Sequence, residues 1–216
     1  MGLFSIISAF LSGCSPANPS STVAPVSNGA QHNQYFKEAS ELITPYMKIH
    51  DVRRQLPDSA KARRDVDRGI ALLKAVVVYN PTNWAAWWVM GKGYQAVNET
   101  EKSCHAFGKS FEIQKANPDV AREYMFACLE TGRTAEAISA AEHAIDISPD
   151  DAGLHANLAL AYTLAGRIKD AQSAISRSLQ IDPSDQISQT LNRRIQEIAQ
   201  GKRPQPSSIR DLERKQ

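Results

Sequence analysis

Trp87-Trp88-Val89-Met90-Gly91-Lys92-Gly93-Tyr94 is the stretch on which the fold turns. Trp87, Met90, Gly91 and Tyr94 follow the i, i+3, i+4, i+7 spacing of one helical face, and small Gly91 within that face admits a neighbouring helix. The pattern recurs with a step of 34 residues: Ala121, Tyr124, Met125 and Cys128 take the same four places, then His155, Leu158, Ala159 and Tyr162. Asn98, Gly132 and Gly166 keep the step, as do Ser103, Ala137 and Ala171, and Pro149 and Pro183. A period of this size marks stacked helical hairpins. The chain therefore reads as all-α, an α-solenoid of antiparallel helix pairs rather than a compact enzyme core.

Each recurring position has the chemistry a hairpin needs. Asn98, Gly132 and Gly166 sit where the chain turns, a site that favours positive φ. The return helices repeat an apolar face, Ala137-x3-Ala141-x2-Ala144-Ile145 and Ala171-x3-Ile175-x2-Ser178-Leu179, and stop at Ser148-Pro149 and Asp182-Pro183. Proline lacks the N–H and disfavours helix for the residue before it. The first copy departs, because Lys115 occupies the proline place and proline arrives late, as Asn117-Pro118. This predicts a longer return helix there, followed by a delayed start with Asn117 as N-cap.

Working outward, Asp65 to Tyr79 reads as an earlier return helix, since Gly69, Leu73 and Val76 precede Ser103, Phe107 and Ser110 by one period. Leu56-Pro57-Asp58 breaks the segment before it, so its expected partner is Tyr35 to Gln55, with Thr44-Pro45 as an internal restart. Beyond Pro183, a last helix capped by Ser184 or Asp185 runs to about Gln200. Its Ile187, Leu191, Ile195 and Ile198 line one side and Arg193, Arg194, Gln196 and Glu197 the other, as a terminal helix should be to cover the end of an array. The expected division is 1–13 a signal segment, 14–33 a disordered tether, 34–81 a divergent helix pair, 82–183 three repeats, 184–200 a capping helix and 201–216 a flexible tail, for which a docking segment is the alternative to disorder.

The spacing W-x2-M-G-x2-Y followed by Ser103-x3-Phe107 resembles the tetratricopeptide repeat (TPR), whose pattern is W-x2-L-G-x2-Y, then A-x3-F, then P. The resemblance implies a superhelix whose first helices line a concave groove that takes segments of partner proteins. On that geometry Trp88, Lys92 and Gln95, then Arg122 and Phe126, then Asn157 and Leu160 point into the groove. Trp87 matches the core position, whereas Trp88 projects about 100° round the helix from it. It is either a peptide anchor beside Lys92 and Arg122 or packed on the divergent first helices. The clamp by which some TPRs hold a C-terminal carboxylate is not matched, since the corresponding positions hold Trp88, Lys92, Asn157, Ala85 and Glu123.

Net charge over 216 residues is +2, too small to argue for a nucleic-acid partner, and no RNA or DNA motif accompanies the basic stretches. Residues 53–74 and 193–216 are basic and residues 82–190 mildly acidic, which reads as solvated helix faces, with contact to anionic lipid or an acidic protein as the alternative. Cys128 lies on a buried face and Cys104 on the next, partly exposed one; ordinary thiols are expected of both rather than a disulfide. His32, His50, His105, His143 and His155 stand in no metal-ligand or triad spacing, and Gly91-Lys92-Gly93 is mid-helix rather than a phosphate loop. No catalytic residue, metal, cofactor or small-molecule substrate is expected.

Leu3 to Leu11 is a short apolar run ending in Leu11-Ser12-Gly13-Cys14. It is too short to span a bilayer and long enough for a signal segment. Leu-Ser-Gly-Cys is similar to the bacterial lipobox, which implies cleavage before Cys14, a lipid on its thiol and a chain on its amine, the two-signal anchoring that holds at a membrane. The n-region departs, since Met1-Gly2 carries no Lys or Arg, and a disordered apolar terminus on a cytosolic protein is the alternative. Myristoylation is disfavoured, because Ile6 stands where Ser or Thr is wanted. Ser15 to Gln34, with Pro16, Pro19 and Pro25, reads as an extended linker. The lipobox resemblance further implies, since Ser15 rather than aspartate follows the cysteine, an outer-membrane location facing the periplasm. The sequence as a whole resembles bacterial TPR lipoproteins, scaffolds for envelope, pilus or secretion assemblies. A soluble cytosolic TPR adaptor or co-chaperone and a regulatory subunit of an enzyme are the alternatives.

Overall fold

A computed structural model describes residues 23–47 and 60–213. The expectations placed on the signal segment, Cys14, the tether up to residue 22, the Leu56-Pro57-Asp58 break and His50 lie outside the described residues. The helices are Gly29–Ile43 (α1), Ala60–Tyr79 (α2), Trp84–Ala96 (α3), Thr100–Ile113 (α4), Pro118–Glu130 (α5), Thr134–Ile147 (α6), Ala152–Leu164 (α7), Ile168–Ile181 (α8), Gln186–Ala199 (α9) and Ile209–Glu213 (α10). α1 pairs with α2, α3 with α4, α5 with α6 and α7 with α8; each pair packs on the next, and α9 closes the row. The expected α-solenoid is the observed fold.

Its register is set by caps more than by prolines. α3, α5, α7 and α9 begin one period apart, each opened by a side chain that accepts from the first turn: Asn83 from Ala86, Asn117 from Asp119, Asp151 from Leu154, Asp185 from Ile187 and Ser188. The hairpin turns are equally regular. Asn98, Gly132 and Gly166 have φ of 61°, 75° and 74°, and the residue after each donates its N–H back to Tyr94, Cys128 or Tyr162 at 2.8–2.9 Å.

The expected longer return helix in the first copy does not occur. α4 ends at Ile113, one period after Tyr79 and one before Ile147. Asn117 and Pro118 already open α5 in phase, so the proline before the loop is dispensable. What changes is who caps the loop carbonyl. Trp87 Nε1 donates to Pro81 O at 2.9 Å, His155 Nε2 to Pro149 O at 2.8 Å and Gln189 Nε2 to Pro183 O at 2.7 Å. In the departing copy Ala121 has no donor to offer, and His143 Nε2 reaches Lys115 O at 2.9 Å instead.

Both ends differ from expectation. Asn28 caps α1 at Gly29, so the helix takes in residues assigned to the tether; the cap and the buried Ala39 and Ile43 outweigh the polar composition before them. Thr44–Tyr46 is a single 3-10 turn, opened as Pro45 favours. The tail is not free: Arg203 pairs with Glu197 at 3.0 Å, Gln205 Nε2 donates to Thr163 O, and Pro206 and Leu212 are buried. Aliphatic residues spaced through a Ser- and Pro-rich segment find a groove wall that composition does not reveal.

Two large apolar clusters fill the array, one from α1 to α4 and one from α4 to α10, and Trp88 packs against both. Within the α3/α4 pair, Phe107 is fully buried against Gly91, where an added Cβ would lie 2.8–2.9 Å from its ring carbons. Gly91 is thus required by close approach, as the sequence indicated, and Ser103 Oγ donates to its carbonyl at 3.1 Å.

Candidate functional site

The first helices carry the expected groove residues in rows set by the period. Trp88 and Arg122 share one row, and Lys92, Phe126 and Leu160 a second. Gln95 shares a third with Leu129 and Thr163, one and two periods on. Asn157 falls outside these rows, in phase with Val89 and Glu123, one helical position from where Ala156 continues the Trp88 row.

Burial changes the meaning of several of these side chains. Lys92, expected as an open groove cation, is only 5 % exposed, and its Nζ meets Glu123 Oε1 of α5 at 2.6 Å. The ammonium also lies 5.2 Å from the Trp88 ring centroid and 5.7 Å from that of Phe107. It therefore holds α3 to α5 rather than presenting a charge to a ligand. Gln95 is buried as well, and its Oε1 has no hydrogen-bond partner among the described residues. Arg122 is partly exposed and paired within its helix to Asp119 at 2.7 Å.

Phe126 and Leu160 remain half-buried, packed by one side on the second cluster, and Trp88 and Asn157 are likewise half-buried. The surface they leave is an apolar strip with an aromatic at Trp88, an aromatic at Phe126 and an aliphatic at Leu160, edged by the Arg122–Asp119 pair. Such a strip suits side chains of an extended polypeptide. The chain's own tail binds along the neighbouring row, that of Gln95. Glu197 of α9 and Thr163 of α7 stand one period apart, at the place Gln95 has in α3, and Arg203 and Gln205 bind these two in turn. Ile209 and Leu212 then enter the same apolar cluster as Phe126 and Leu160.

A second concavity, which sequence reasoning missed, lies between the return helices α2 and α4. It is about 490 Å³ and lined by Val77, Trp87, Met90, Tyr94, His105 and Ala106 among others, with Val78 80 % exposed at its side. One period on, Phe111 fills the equivalent slot, stacked on Tyr124 at 5.5 Å and edge-on to His143 at 5.2 Å. The signal was readable: Val77 replaces Phe111's bulk, and Val78 stands where later copies have Glu112 and Asp146. The described histidines are spent on loop carbonyls or aromatic contacts: His155 and His143 as above, His105 against Trp87 at 6.2 Å and His32 beside Tyr79 at 5.7 Å. No group of three or more His, Cys, Asp or Glu able to hold a metal gathers among the described residues.

Comparison with known proteins agrees with this geometry. A family model described as tetratricopeptide repeat matches residues 128–195. No curated protein matches the chain. Among solved structures, the MamA protein is 17 % identical, with 81 % of this chain and 85 % of that one covered at a TM-score of 0.65. YrrB, a TPR protein with an unusual peptide-binding site, is 12 % identical, with 82 % of each chain covered and a TM-score of 0.62. The first TPR of Spaghetti (RPAP3), solved bound to the HSP90 peptide SRMEEVD, is 14 % identical over 54 % of this chain and 93 % of that one, with a TM-score of 0.50. The chain is a protein of tetratricopeptide-repeat fold, and its residues 128–195 are matched as the repeat itself.

Proposed function

We propose that the chain is a non-enzymatic scaffold that holds an extended segment of a protein partner along the Trp88–Phe126–Leu160 strip. The observation that carries this reading is the tail, a segment of this chain that bonds Glu197 and Thr163 in the row beside the strip and so supports a polypeptide as the ligand. The peptide-binding site of YrrB and the peptide complex of RPAP3, two proteins of the same fold, support it by analogy. A carboxylate-clamped chaperone peptide is disfavoured, since Lys92, the cation nearest the clamp position, is already neutralised by Glu123. Anchoring through a lipid on Cys14, in a bacterial envelope and facing the periplasm, belongs to the same proposal and rests on Leu11-Ser12-Gly13-Cys14.

A photo-crosslinking side chain placed at Phe126 or Leu160 in the natively expressed full chain is expected to give a discrete protein adduct, and one at Val78 none. Adducts from Val78 alone would overturn the groove assignment and move the site to the return-helix slot. Intact mass and fractionation test the anchor: loss of residues 1–13 with an added lipid mass, abolished by Cys14→Ser, supports it. A full-length soluble chain refutes it and favours the cytosolic adaptor.

A further inference from the structure

Cys104 and Cys128 lie on neighbouring helices of different hairpins, α4 and α5, and both are closed off from solvent at 1 % and 0 % exposure. The sequence led us to expect a partly exposed Cys104, but the α4–α5 packing turns it inward. Their sulfurs are 3.9 Å apart, with one thiol donating to the other. A disulfide needs about 2.05 Å, and rotation of the side chains has to supply the remaining ~1.9 Å.

We propose that Cys104 and Cys128 are a redox pair that closes into an intrachain disulfide across the α4–α5 seam by exchange with a disulfide-bearing oxidant. The surroundings make the two thiols unequal. The hydrogen bond from Cys128, then the Thr131 hydroxyl and the Arg133 guanidinium, hold the Cys104 thiol down to about 6, against burial and the nearby Glu101. The same contact and burial, with Glu136 beside it, push the Cys128 thiol up, while the Tyr124 hydroxyl opposes the shift. In the closed pair Cys104 is thus the sulfur that more readily releases its proton, and Cys128 the one that keeps it.

The step balances. With the seam open, Cys104 loses its proton, and its Sγ attacks one sulfur of the oxidant's disulfide and expels the other as a thiolate, leaving a mixed disulfide. Cys128 then gives up its proton and attacks Cys104 Sγ, releasing the second thiol. Two protons and two electrons leave the pair, and one oxidant disulfide becomes two thiols. Because the finished array encloses both sulfurs, exchange takes place while α4 and α5 are still apart, during folding or a local opening of the seam. The inference does not depend on the groove or the lipid anchor, although export to an oxidising compartment supplies the oxidant.

The test is refolding of the full chain from urea in a glutathione redox buffer, followed by alkylation before and after reduction and tryptic mass mapping. The expected product joins the peptides 103–109 and 123–133, two hydrogens lighter than their sum, and separates on reduction. The oxidised chain should melt roughly 7–14 °C above the reduced one, as closure of a loop of this length implies. A Cys104→Ala/Cys128→Ala chain should show no response to reductant, which separates the bond's effect from that of the buffer. Both cysteines alkylated without reduction after oxidative refolding, or a linked chain that melts no higher than the reduced one, overturns the proposal.

Discussion

Lys92→Met removes one charge from the seam between α3 and α5 and keeps most of the side chain's bulk against Trp88 and Phe107. The two partners are 5 % and 18 % exposed at 2.6 Å, so the change strands Glu123 in a site that is mostly, though not wholly, dry. Breaking a buried pair from one side costs about 3–5 kcal/mol. Since Glu123 keeps some access to water, the loss belongs at the lower end, about 3 kcal/mol, and should lower Tm by roughly 6–12 °C. Glu123→Leu takes the carboxylate from the more enclosed ammonium and should cost about as much. The double variant replaces the pair with apolar groups and should return to within about 1 kcal/mol of the parent, a coupling of several kcal/mol in the cycle.

The position of the pair adds a second readout. Stability in a stacked array is approximately a sum of repeat terms and interface terms between neighbours. A weakened α3–α5 interface therefore loosens the coupling between the cluster of α1 to α4 and that of α4 to α10. Urea unfolding of Lys92→Met, followed by far-ultraviolet circular dichroism and by tryptophan fluorescence, should lose coincidence. All tryptophans lie in the amino-terminal half, at Trp84, Trp87 and Trp88, so fluorescence reports that half and, through Trp88, its junction with the second cluster. A loss below about 1 kcal/mol, with both probes still coincident, would refute the argument that this ion pair joins the halves.

Gly91→Ala places a Cβ 2.8–2.9 Å from the Phe107 ring, and overpacking of about 1–3 kcal/mol should outweigh the ~1 kcal/mol helix gain; a raised Tm would contradict this. The Asp185 carboxyl is held below its ordinary value by the Ser188 hydroxyl and the Ile187 and Ser188 N–H groups, against partial burial. Its contribution is therefore full above about pH 4 and is lost as pH falls through the depressed folded value. Asp185→Asn, which caps without titrating, should show a shallower fall in Tm from pH 5 to pH 2, and parallel curves would contradict it. Leu212→Ala should cost about 2 kcal/mol and raise amide exchange around Thr163 to Arg167, whereas an unchanged melt would mean the tail does not support the array.

The periodic part of this structure was legible because each hairpin is a local unit, and local chemistry repeats in the sequence. Positive φ at Asn98, Gly132 and Gly166, the Gly91 close approach and the end of α9 near Gln200 all follow from residues within one copy. The mistaken lengthening of α4 came from giving Lys115 weight as a missing stop. The series Asn83, Asn117, Asp151, Asp185 carried the register more faithfully and was present in the sequence. Side-chain pairs between copies were not legible. Helix phase placed Lys92 toward the groove, but only the packing of α5 brings Glu123 to it, and only that packing hides Cys104. The tail was read as disordered rather than docked for another reason: its anchors, Pro206, Ile209 and Leu212, are sparse, and their burial depends on a surface built by distant residues.

The departures from the repeat concentrate at one seam, and this bears on how a ligand would act. At α4–α5 the usual proline is Lys115, the usual tryptophan is Ala121, the loop carbonyl is held by His143, and the junction is secured by Lys92–Glu123, Trp88 and two touching thiols. A segment lying along Trp88, Arg122 and Phe126 crosses this seam and contacts both sides of it. Such a ligand binds only the joined arrangement and so stabilises it, by about 2.7 kcal/mol at a hundred times its Kd. That is close to the loss expected from Lys92→Met. Saturating a partner peptide identified by the crosslink should therefore restore coincident unfolding to this variant, while raising the parent's midpoint without changing its cooperativity. A peptide that stabilises the variant but leaves its two probes separate binds to one side of the seam only, and the groove would then have to be drawn on α5 and α7 without Trp88.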